Sequence, residues 1–224
     1  GRLRRIVIVN LTRLGDLLQT SPTIAGLHAV HPEAKITLVA EKNFAEVCES
    51  IPGVDRVYRI DLDRLGHLLL EGPARIGDAY RYVREVVDEL RAEDFELALN
   101  YSSSRMSAVL LSLLRIPDVR GWAMTSDGYR SIRTPWARLF AASCLNRRMA
   151  SFNLVDCYRG VAGCLEAPVE GLSFRISDGA RQSIASRLAE MGVAGDASLV
   201  ALQLGASREI RQWPIESFAR VAHE

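Results

Sequence analysis

The sequence predicts an α/β protein built on a parallel, doubly wound sheet. Short β-branched apolar runs recur along the first 122 residues, and most of them are followed by a segment with helical periodicity. The first run, residues 5–10, is apolar on both faces, as a strand covered by helices on both sides is. Strands and helices that alternate in this way are typical of doubly wound folds. We therefore expect parallel strands whose carboxyl ends share one edge of the sheet.

The remaining elements follow from the same patterns. Strands are predicted at 35–40, 54–60, 95–100 and 117–122, and helices at 17–30, 43–50, 78–92, 106–114 and 151–165. Asn43 and Asp78 are candidate caps for two of these helices. Residues 61–77 are expected to form a loop with about one helical turn, because Gly66, Gly72 and Pro73 interrupt the leucines. Near the end of the chain we expect a helix at 177–192, a strand at 198–204 and a helix from Ile215.

Composition excludes several classes of protein. The chain has 28 Lys and Arg against 27 Asp and Glu, which leaves no basic excess for binding nucleic acid. Its four cysteines, Cys48, Cys144, Cys157 and Cys164, lack the spacing of a metal site or of a disulfide framework, so we expect reduced thiols in a cytosolic protein. No apolar stretch is long enough to span a membrane. The expected protein is soluble or at most peripheral, without a metal.

The loop after the first strand contains the first candidate site. Arg13, Gly15 and Asp16 lie at the carboxyl end of the strand, where open α/β sheets bind ligands. Gly15 permits a sharp turn or a close approach of the backbone to a ligand. Asp16 falls near the start of a helix, which favours a negative charge. From position alone it can be a helix cap or a group that performs chemistry.

Two further segments carry candidate binding groups. Ser103 and Arg105, in the loop after the fourth strand, can bind sugar hydroxyls or an anion, and at least one serine there is expected to cap the next helix. From Ser126 onward, cations alternate with aromatic residues. This segment is either a surface on which arginine stems pack over rings, or a contact site for an anionic acceptor at a membrane surface. Its members are Tyr129, Arg130, Arg133, Trp136, Arg138, Phe140, Arg147 and Arg148.

The end of the chain repeats the opening arrangement of strand, small-residue loop and helix. Gly205 and Ala206 leave backbone N–H groups accessible, Ser207 adds a hydroxyl and Arg211 adds a fixed positive charge. Such a set suits a phosphate near a helix N-terminus, although an ordinary loop between a strand and a helix has the same pattern.

Taken together, these stretches resemble glycosyltransferase family 9, the ADP-heptose lipopolysaccharide heptosyltransferases. The resemblance rests on Arg13-Leu14-Gly15-Asp16 with Thr20 and Pro22, and on Gly205-Ala206-Ser207 with Arg211, Trp213 and Pro214. It implies the GT-B architecture, in which two Rossmann-like domains face a cleft. Residues 1–168 would form the acceptor-side domain, and residues 169–224 would begin the domain that binds the nucleotide sugar.

The resemblance also implies a reaction. Asp16 would be the general base of an inverting, metal-independent transfer of heptose or a related sugar from an ADP-sugar to a lipopolysaccharide core or similar envelope glycan. The ADP-sugar would be a co-substrate, with no other cofactor, and the acceptor an anionic lipid-linked glycan at the cytoplasmic face of the cell membrane. Together with this reaction we expect Arg13, Gly15, Ser103, Arg105, Arg130 and Arg133 to bind the acceptor, and Gly205, Ala206, Ser207 and Arg211 to bind the donor.

Two departures from the family pattern bear on this expectation. Family members often have Lys where this chain has Arg211, which keeps the charge but changes the contact with phosphate. They also continue well beyond residue 224, so the donor domain is expected to be incomplete. The alternative function is a non-catalytic glycan- or nucleotide-binding fragment of such an enzyme. A dinucleotide-dependent oxidoreductase or epimerase is disfavoured, because the chain lacks the Gly-x-Gly-x-x-Gly fingerprint and a Tyr-x-x-x-Lys pair.

Overall fold

The structure, a computed structural model, describes residues 2–145, 152–168, 171–206 and 208–223, with the backbone alone for Cys144 and Leu145. Residues 1–175 form one compact unit and residues 176–224 form another.

The first unit is organised around a six-stranded sheet. Five parallel strands are in the order β3-β2-β1-β4-β5, and β6 adds to β5 in antiparallel fashion at the edge. The predicted α/β class and its five parallel strands are confirmed, whereas β6 was not predicted. The strands are β1 (Arg5–Val9), β2 (Lys35–Glu41), β3 (Arg56–Ile60), β4 (Leu97–Asn100), β5 (Asp118–Met124) and β6 (Arg130–Arg133).

Helices cover both faces of this sheet. They are α1 (Leu14–Leu18), α2 (Ser21–Val30), α3 (Ala45–Glu49), α4 (Leu62–Leu70), α5 (Ile76–Arg91), α6 (Arg105–Leu114), α7 (Pro135–Leu145) and α8 (Leu154–Ala162). The single helix predicted at 17–30 is divided into α1 and α2. Pro22 lies in the first turn of α2, where its missing N–H costs no helical hydrogen bond.

Helix α4 corrects the expectation of a loop at 61–77. The Asp61 side chain caps it by accepting a hydrogen bond of 2.8 Å from the backbone N–H of Arg64. Leu65 and Leu68 are buried in the core on one side of the helix. Capping and burial together outweigh the low helical propensity of Gly66.

Two predicted helix caps are also wrong. Glu41, and not Asn43, accepts the capping hydrogen bond at residues 42–44, from the backbone N–H of Asn43 at 2.8 Å. Asp78 lies in the first turn of α5, whose N-cap is Arg75. The helix dipole stabilises an acidic residue in the first turn, which explains why Asp78 occurs near the start of α5 without capping it.

The core consists of two clusters, one on each face of the sheet. Along β1, Ile6 and Ile8 belong to the cluster that includes Leu27 of α2. The alternate residues Val7 and Val9 belong to the cluster on the opposite face. Successive side chains of a strand point to opposite faces, so both sets are apolar because both faces are covered.

The second unit contains α9 (Asp178–Glu190), a 3-10 turn (Glu209–Arg211) and α10 (Ile215–His223). The predicted strand at 198–204 is absent: these residues have no regular structure. A strand requires a hydrogen-bonded neighbour, and none of the described residues of this unit forms one. Among the described residues of both units, no helix is both long enough and apolar enough to cross a membrane.

Candidate functional site

The sheet has a switch point between β1 and β4. After β1 the chain continues to β2 and β3 on one side, then returns to place β4 on the other side of β1. The connections that leave β1 and β4 therefore diverge at their carboxyl ends and open a crevice, which is where such sheets bind ligands. Asp16 lies at this point in α1, which follows the loop after β1, and Ser103 lies in the loop after β4.

A buried asparagine fixes the end of β4. The Asn100 amide nitrogen donates to the backbone carbonyl of Trp122 at 2.7 Å and to the hydroxyl of Ser107 at 3.1 Å. Its side-chain oxygen accepts from the backbone N–H of Ser102 at 3.1 Å. All of its hydrogen bonds join neighbouring elements, so the start of the loop is rigid.

A second buried asparagine organises the loop after β1. The Asn10 amide donates to the backbone carbonyl of Asp16 at 3.3 Å, and its side-chain oxygen accepts from the hydroxyl of Thr12. The next backbone N–H, that of Leu11, donates to the hydroxyl of Ser102 at 2.6 Å. These bonds couple the two loops to each other.

Asp16 is not the N-cap of α1. That position belongs to Arg13, whose side chain makes no capping hydrogen bond, and Asp16 lies in the first turn. Among the described residues none forms an ion pair with the half-buried carboxylate of Asp16.

Asp16 lines a cavity of about 390 Å³ in which polar groups face aromatic rings. The size falls within the range of small-molecule sites, about 300–1,000 Å³. The side chains that line the cavity come from the loops after β1 and β4 and from α1, β5, β6, α7 and α8. They are Thr12, Asp16, Tyr101, Ser103, Trp122, Arg130, Phe140, Ala141, Leu154 and Tyr158.

Four aromatic rings form one wall of this cavity. Tyr101 stacks on Tyr158 with centroids 4.1 Å apart, and Phe140 meets Trp122 and Tyr158 edge to face at 5.3 and 6.1 Å. The Tyr101 hydroxyl donates to the backbone carbonyl of Tyr158 at 2.9 Å. Burial holds the pKa of Tyr101 well above its ordinary value, so the hydroxyl stays protonated. The wall is rigid and apolar, as a surface that orients a ligand needs to be.

Arg130 supplies a cation to the same cavity. It is exposed on β6, and its Nη1 donates to the backbone carbonyl of Ser103 at 2.9 Å. A carboxylate and a guanidinium therefore line one cavity, although more than a hundred positions of sequence separate Asp16 from Arg130.

Not every predicted acceptor residue lines this cavity. Arg105 lines a different, apolar cavity, and Arg133 lines a third one of about 210 Å³. Arg13 and Gly15 are exposed on α1 and are not part of the lining. Ser104 caps α6 by accepting from the backbone N–H of Ser107 at 3.1 Å, which confirms that one serine of this loop is a cap.

The segment of alternating cations and aromatics is divided between surface and core. Trp136 and Phe140 pack against the core, and the Trp136 ring lies so close to Gly160 that an added Cβ would be 2.3 Å from it. Tyr129 remains exposed. Arg147 and Arg148 lie outside the described residues.

The predicted donor loop is held partly by two glutamines. The Gln203 amide donates to the backbone carbonyl of Gly205, and the Gln212 amide donates to that of Ala206, each at 3.1 Å. Ser207 lies outside the described residues. These bonds use the backbone carbonyl groups of Gly205 and Ala206 as acceptors.

Arg211 closes the 3-10 turn that follows this loop, and it is exposed. Trp213 then packs edge to face on Phe218, with centroids 5.0 Å apart, which anchors the start of α10. Neither unit, over the residues described, contains a group of three or more His, Cys, Asp or Glu that can hold a metal ion.

Comparison with solved structures identifies the fold. A glycosyltransferase family 9 protein from Veillonella parvula matches with a TM-score of 0.78 and 21% identity, over 99% of this chain and 60% of that one. The E. coli ADP-heptose LPS heptosyltransferase II matches with a TM-score of 0.62 and 16% identity, over 98% and 60%. The E. coli heptosyltransferase WaaC with ADP matches with a TM-score of 0.61 and 21% identity, over 98% and 63%.

The chain thus spans 60 to 63% of the length of these structures, and its fold is of the GT-B type that the sequence predicted. No curated protein sequence matches it. The family model "Glycosyltransferase family 9 (heptosyltransferase)" matches residues 83–224, which is more than half of the chain. The chain therefore belongs to glycosyltransferase family 9.

Proposed function

We propose that this protein transfers a heptose or a related sugar from an ADP-sugar to a hydroxyl of an anionic, lipid-linked envelope glycan. The observation that carries the proposal is that Asp16 and Arg130 both line one aromatic cavity at the switch point of the sheet. Membership of glycosyltransferase family 9 supports the reaction class.

The cavity has the chemistry of an acceptor site. The apolar faces of a sugar ring pack well on aromatic side chains, and its hydroxyls need a few precisely placed polar partners. Thr12 and Ser103 supply polar groups, and the Arg130 guanidinium matches a carboxylate or phosphate on the glycan. An acidic sugar therefore suits this cavity better than a neutral one.

Asp16 is the general base of the proposed reaction. Its carboxylate takes the proton of the acceptor hydroxyl while that oxygen forms a bond to the anomeric carbon of the donor sugar. The bond between the anomeric carbon and the diphosphate breaks at the same time, and ADP leaves with the electron pair. Attack opposite to the leaving group inverts the anomeric centre. A base must lie within hydrogen-bond reach of the hydroxyl, and the place of Asp16 in the lining of the cavity supports this role.

The donor diphosphate is assigned to the loop 205–211. The N–H groups of Gly205 and Ala206, the Ser207 hydroxyl and the Arg211 guanidinium would offset the charge that develops on the leaving ADP. One solved neighbour, the E. coli heptosyltransferase WaaC, was determined with ADP-2-deoxy-2-fluoro heptose. That complex supports an ADP-sugar donor for this protein as well.

The place of action is the cytoplasmic face of the cell membrane, where a lipid-linked acceptor would be presented. The predicted domain of residues 1–168 would bind the acceptor, and the predicted domain that begins at residue 169 would bind the donor.

Replacement of Asp16 by Asn tests the proposed base. We expect the rate of transfer from ADP-heptose in the intact protein to fall by roughly 10²- to 10⁴-fold, with the affinity for ADP and the melting temperature unchanged. Asp127→Asn, at an exposed turn, is the matched control and should retain full activity. Undiminished turnover in Asp16→Asn would rule out Asp16 as the base.

A further inference from the structure

A second cavity lies at the same edge of the sheet but on its other face. It has a volume of about 560 Å³ and is enclosed by α4, α5 and α6. Its walls are almost entirely hydrocarbon, and they include Leu11, Leu69, Ile76, Tyr80, Met106 and Val109. A cavity of this size and composition is large enough for an apolar ligand.

The apolar side chains around this cavity are unusually exposed. Ile76 is 55% exposed, Tyr80 is 65% exposed and Met106 is 42% exposed. Single exposed apolar residues are common, whereas a contiguous set of them marks an interaction site. Something apolar is therefore expected to cover this surface when the protein works.

Arg105 is the single charged side chain in the lining of this cavity, among the residues that the structure describes. It is exposed at the first position of α6, and within the described parts of the chain it has no ion-pair partner. A guanidinium beside a hydrocarbon slot fits an amphiphile, with an apolar chain in the slot and an anionic group on the arginine.

The surrounding charges favour a single amphiphile over an anionic bilayer surface. Beside the cavity, Asp78 forms ion pairs with Arg75 and Arg81, and Glu71 also pairs with Arg75. Attraction to an anionic bilayer requires an excess of basic residues near the surface. The positive charges of Arg75 and Arg81 are therefore largely neutralised.

The apolar cavity and the cavity that contains Asp16 share the same two loops. Leu11 lines the apolar cavity and the next residue, Thr12, lines the aromatic one. Ser103 lines the aromatic cavity, and Arg105, two positions later, lines the apolar one. Neighbouring residues of the same two chain segments therefore line the two cavities, one on each face of the sheet.

We propose that the apolar cavity binds an acyl chain of the lipid-linked acceptor, and that Arg105 binds an anionic group between that chain and the glycan. The inference rests on the proposed function, and it adds the lipid part of the acceptor. It also gives Arg105 a place in acceptor binding although Arg105 does not line the cavity of Asp16. The acyl chain would hold the acceptor while the sugar reaches the base.

Binding of monoalkyl phosphates to the chain tests this inference without any transfer reaction. We expect dodecyl phosphate, titrated calorimetrically below its aggregation concentration, to bind more tightly than octyl phosphate. The gain should be up to roughly fourfold for each methylene that is buried. Inorganic phosphate, which lacks the chain, should compete only weakly.

Variants at the mouth of the cavity supply the structural control. Val109→Trp and Met106→Trp place a large ring at positions that are 39% and 42% exposed, so the ring can fill the cavity without disturbing the core. Each should weaken dodecyl phosphate binding at least tenfold at an unchanged melting temperature. Arg105→Gln should weaken it by roughly tenfold. Arg84→Gln, which removes an exposed arginine of α5 outside the cavity, should have no effect.

Three results would overturn the inference. In the first, dodecyl phosphate binds equally well to the wild type, to Val109→Trp and to Met106→Trp. In the second, phosphatidylglycerol vesicles bind and the monomeric alkyl phosphate does not, which would make a bilayer the occupant. In the third, the protein dimerises and both tryptophan variants abolish the dimer, which would make a second copy the occupant.

The Asp16→Asn variant separates this inference from the proposed function. It should bind dodecyl phosphate like the wild type, because Asp16 does not line the apolar cavity. Loss of transfer in that variant without any alkyl phosphate binding would refute the inference alone. Intact alkyl phosphate binding with undiminished transfer would refute the role of Asp16 alone.

Discussion

The Nη1 atom of Arg130 donates a hydrogen bond of 2.9 Å to the backbone carbonyl oxygen of Ser103. This bond joins the antiparallel edge strand β6 to the loop after the parallel strand β4. It brings a cation to the cavity that Asp16 lines. The strand register separates Arg130 from Arg133, because side chains an odd number of positions apart point to opposite faces.

We therefore expect Arg130→Gln and Arg133→Gln to differ in their effects on transfer. Arg130→Gln should raise the KM for an anionic acceptor roughly tenfold with little change in kcat, because it removes a charge-assisted contact. Arg133→Gln should leave both constants unchanged. Steady-state kinetics at varied acceptor concentration measures the difference. An equal rise in KM for both variants would mean that the two arginines attract the anionic acceptor through long-range electrostatics and that Arg130 does not contact it in the cavity.

Gly121 is required for the close approach of β5 to β4. Its φ angle is +91°, and a Cβ at this position would lie 2.1 Å from the backbone oxygen of Asn100. Asn100 is also its register partner and the residue that fixes the loop bearing Ser103. Gly121→Ala should lower the free energy of unfolding by about 2–4 kcal/mol through clash and backbone strain.

The matched control is Gly77→Ala in α5. An added Cβ there meets open space, and the residue is helical, so the substitution should be neutral or stabilising by up to about 1 kcal/mol. Denaturant unfolding of the two variants gives the comparison. Equal stability would contradict the steric role of Gly121.

The parallel strands were predictable because burial on both faces leaves a clear pattern in the sequence. The β1 residues Ile6 to Val9 are apolar without interruption, and each is fully buried. Strand β6 has no such pattern. Its residues, Arg130 to Arg133, are half-buried or exposed, and it is a strand because it pairs with β5. Strand formation that depends on a distant partner is invisible to local periodicity.

The candidate site was predictable only in part, for a similar reason. Asp16 and Ser103 follow buried strands, so their positions at the edge of the sheet could be inferred. Besides Tyr101, the aromatic wall contains Trp122, Phe140 and Tyr158, which come from a strand and two helices. Their spacing along the chain carries no common period, and only the folded chain brings them together.

We predict that Asn10 affects the rate of sugar transfer because it positions Asp16. Its amide holds the backbone of Asp16, and its side-chain oxygen accepts from Thr12, so it shapes the loop without lining the cavity. Asn10→Ala should lower kcat by about tenfold or more and leave the KM for the ADP-sugar unchanged, because a small displacement of the base slows the chemical step. It should also cost about 1–3 kcal/mol of stability, since buried partners lose their hydrogen bonds.

Asn153→Asp provides the control for that experiment. Asn153 caps α8 through its side-chain oxygen, and Asp caps a helix equally well. A variant at Asn10 that loses stability but keeps the wild-type kcat would show that this asparagine is only structural.

The last prediction concerns the buried thiol of Cys48. Burial raises its pKa from 9.0 to about 11, and burial raises that of Cys164 to about 11 as well. The folded state therefore keeps these protons at a pH at which the unfolded chain releases them. The stabilisation of the folded state that comes from the raised thiol pKa is therefore fully present below pH 9. It is lost as the pH rises from 9 toward 11.

In the wild type, each such thiol should lower the free energy of unfolding by about 1.4 kcal/mol per pH unit across that window. Cys48→Ala removes one of them. The variant should be less stable than the wild type at pH 7, because a buried side chain is shortened, and its stability should then fall less steeply between pH 9 and 11. Denaturant unfolding at pH 7, 9 and 10.5 measures both effects. Parallel pH profiles for the two proteins would show that the Cys48 thiol ionises as easily in the folded state as in the unfolded one, and hence that it is not sealed from water.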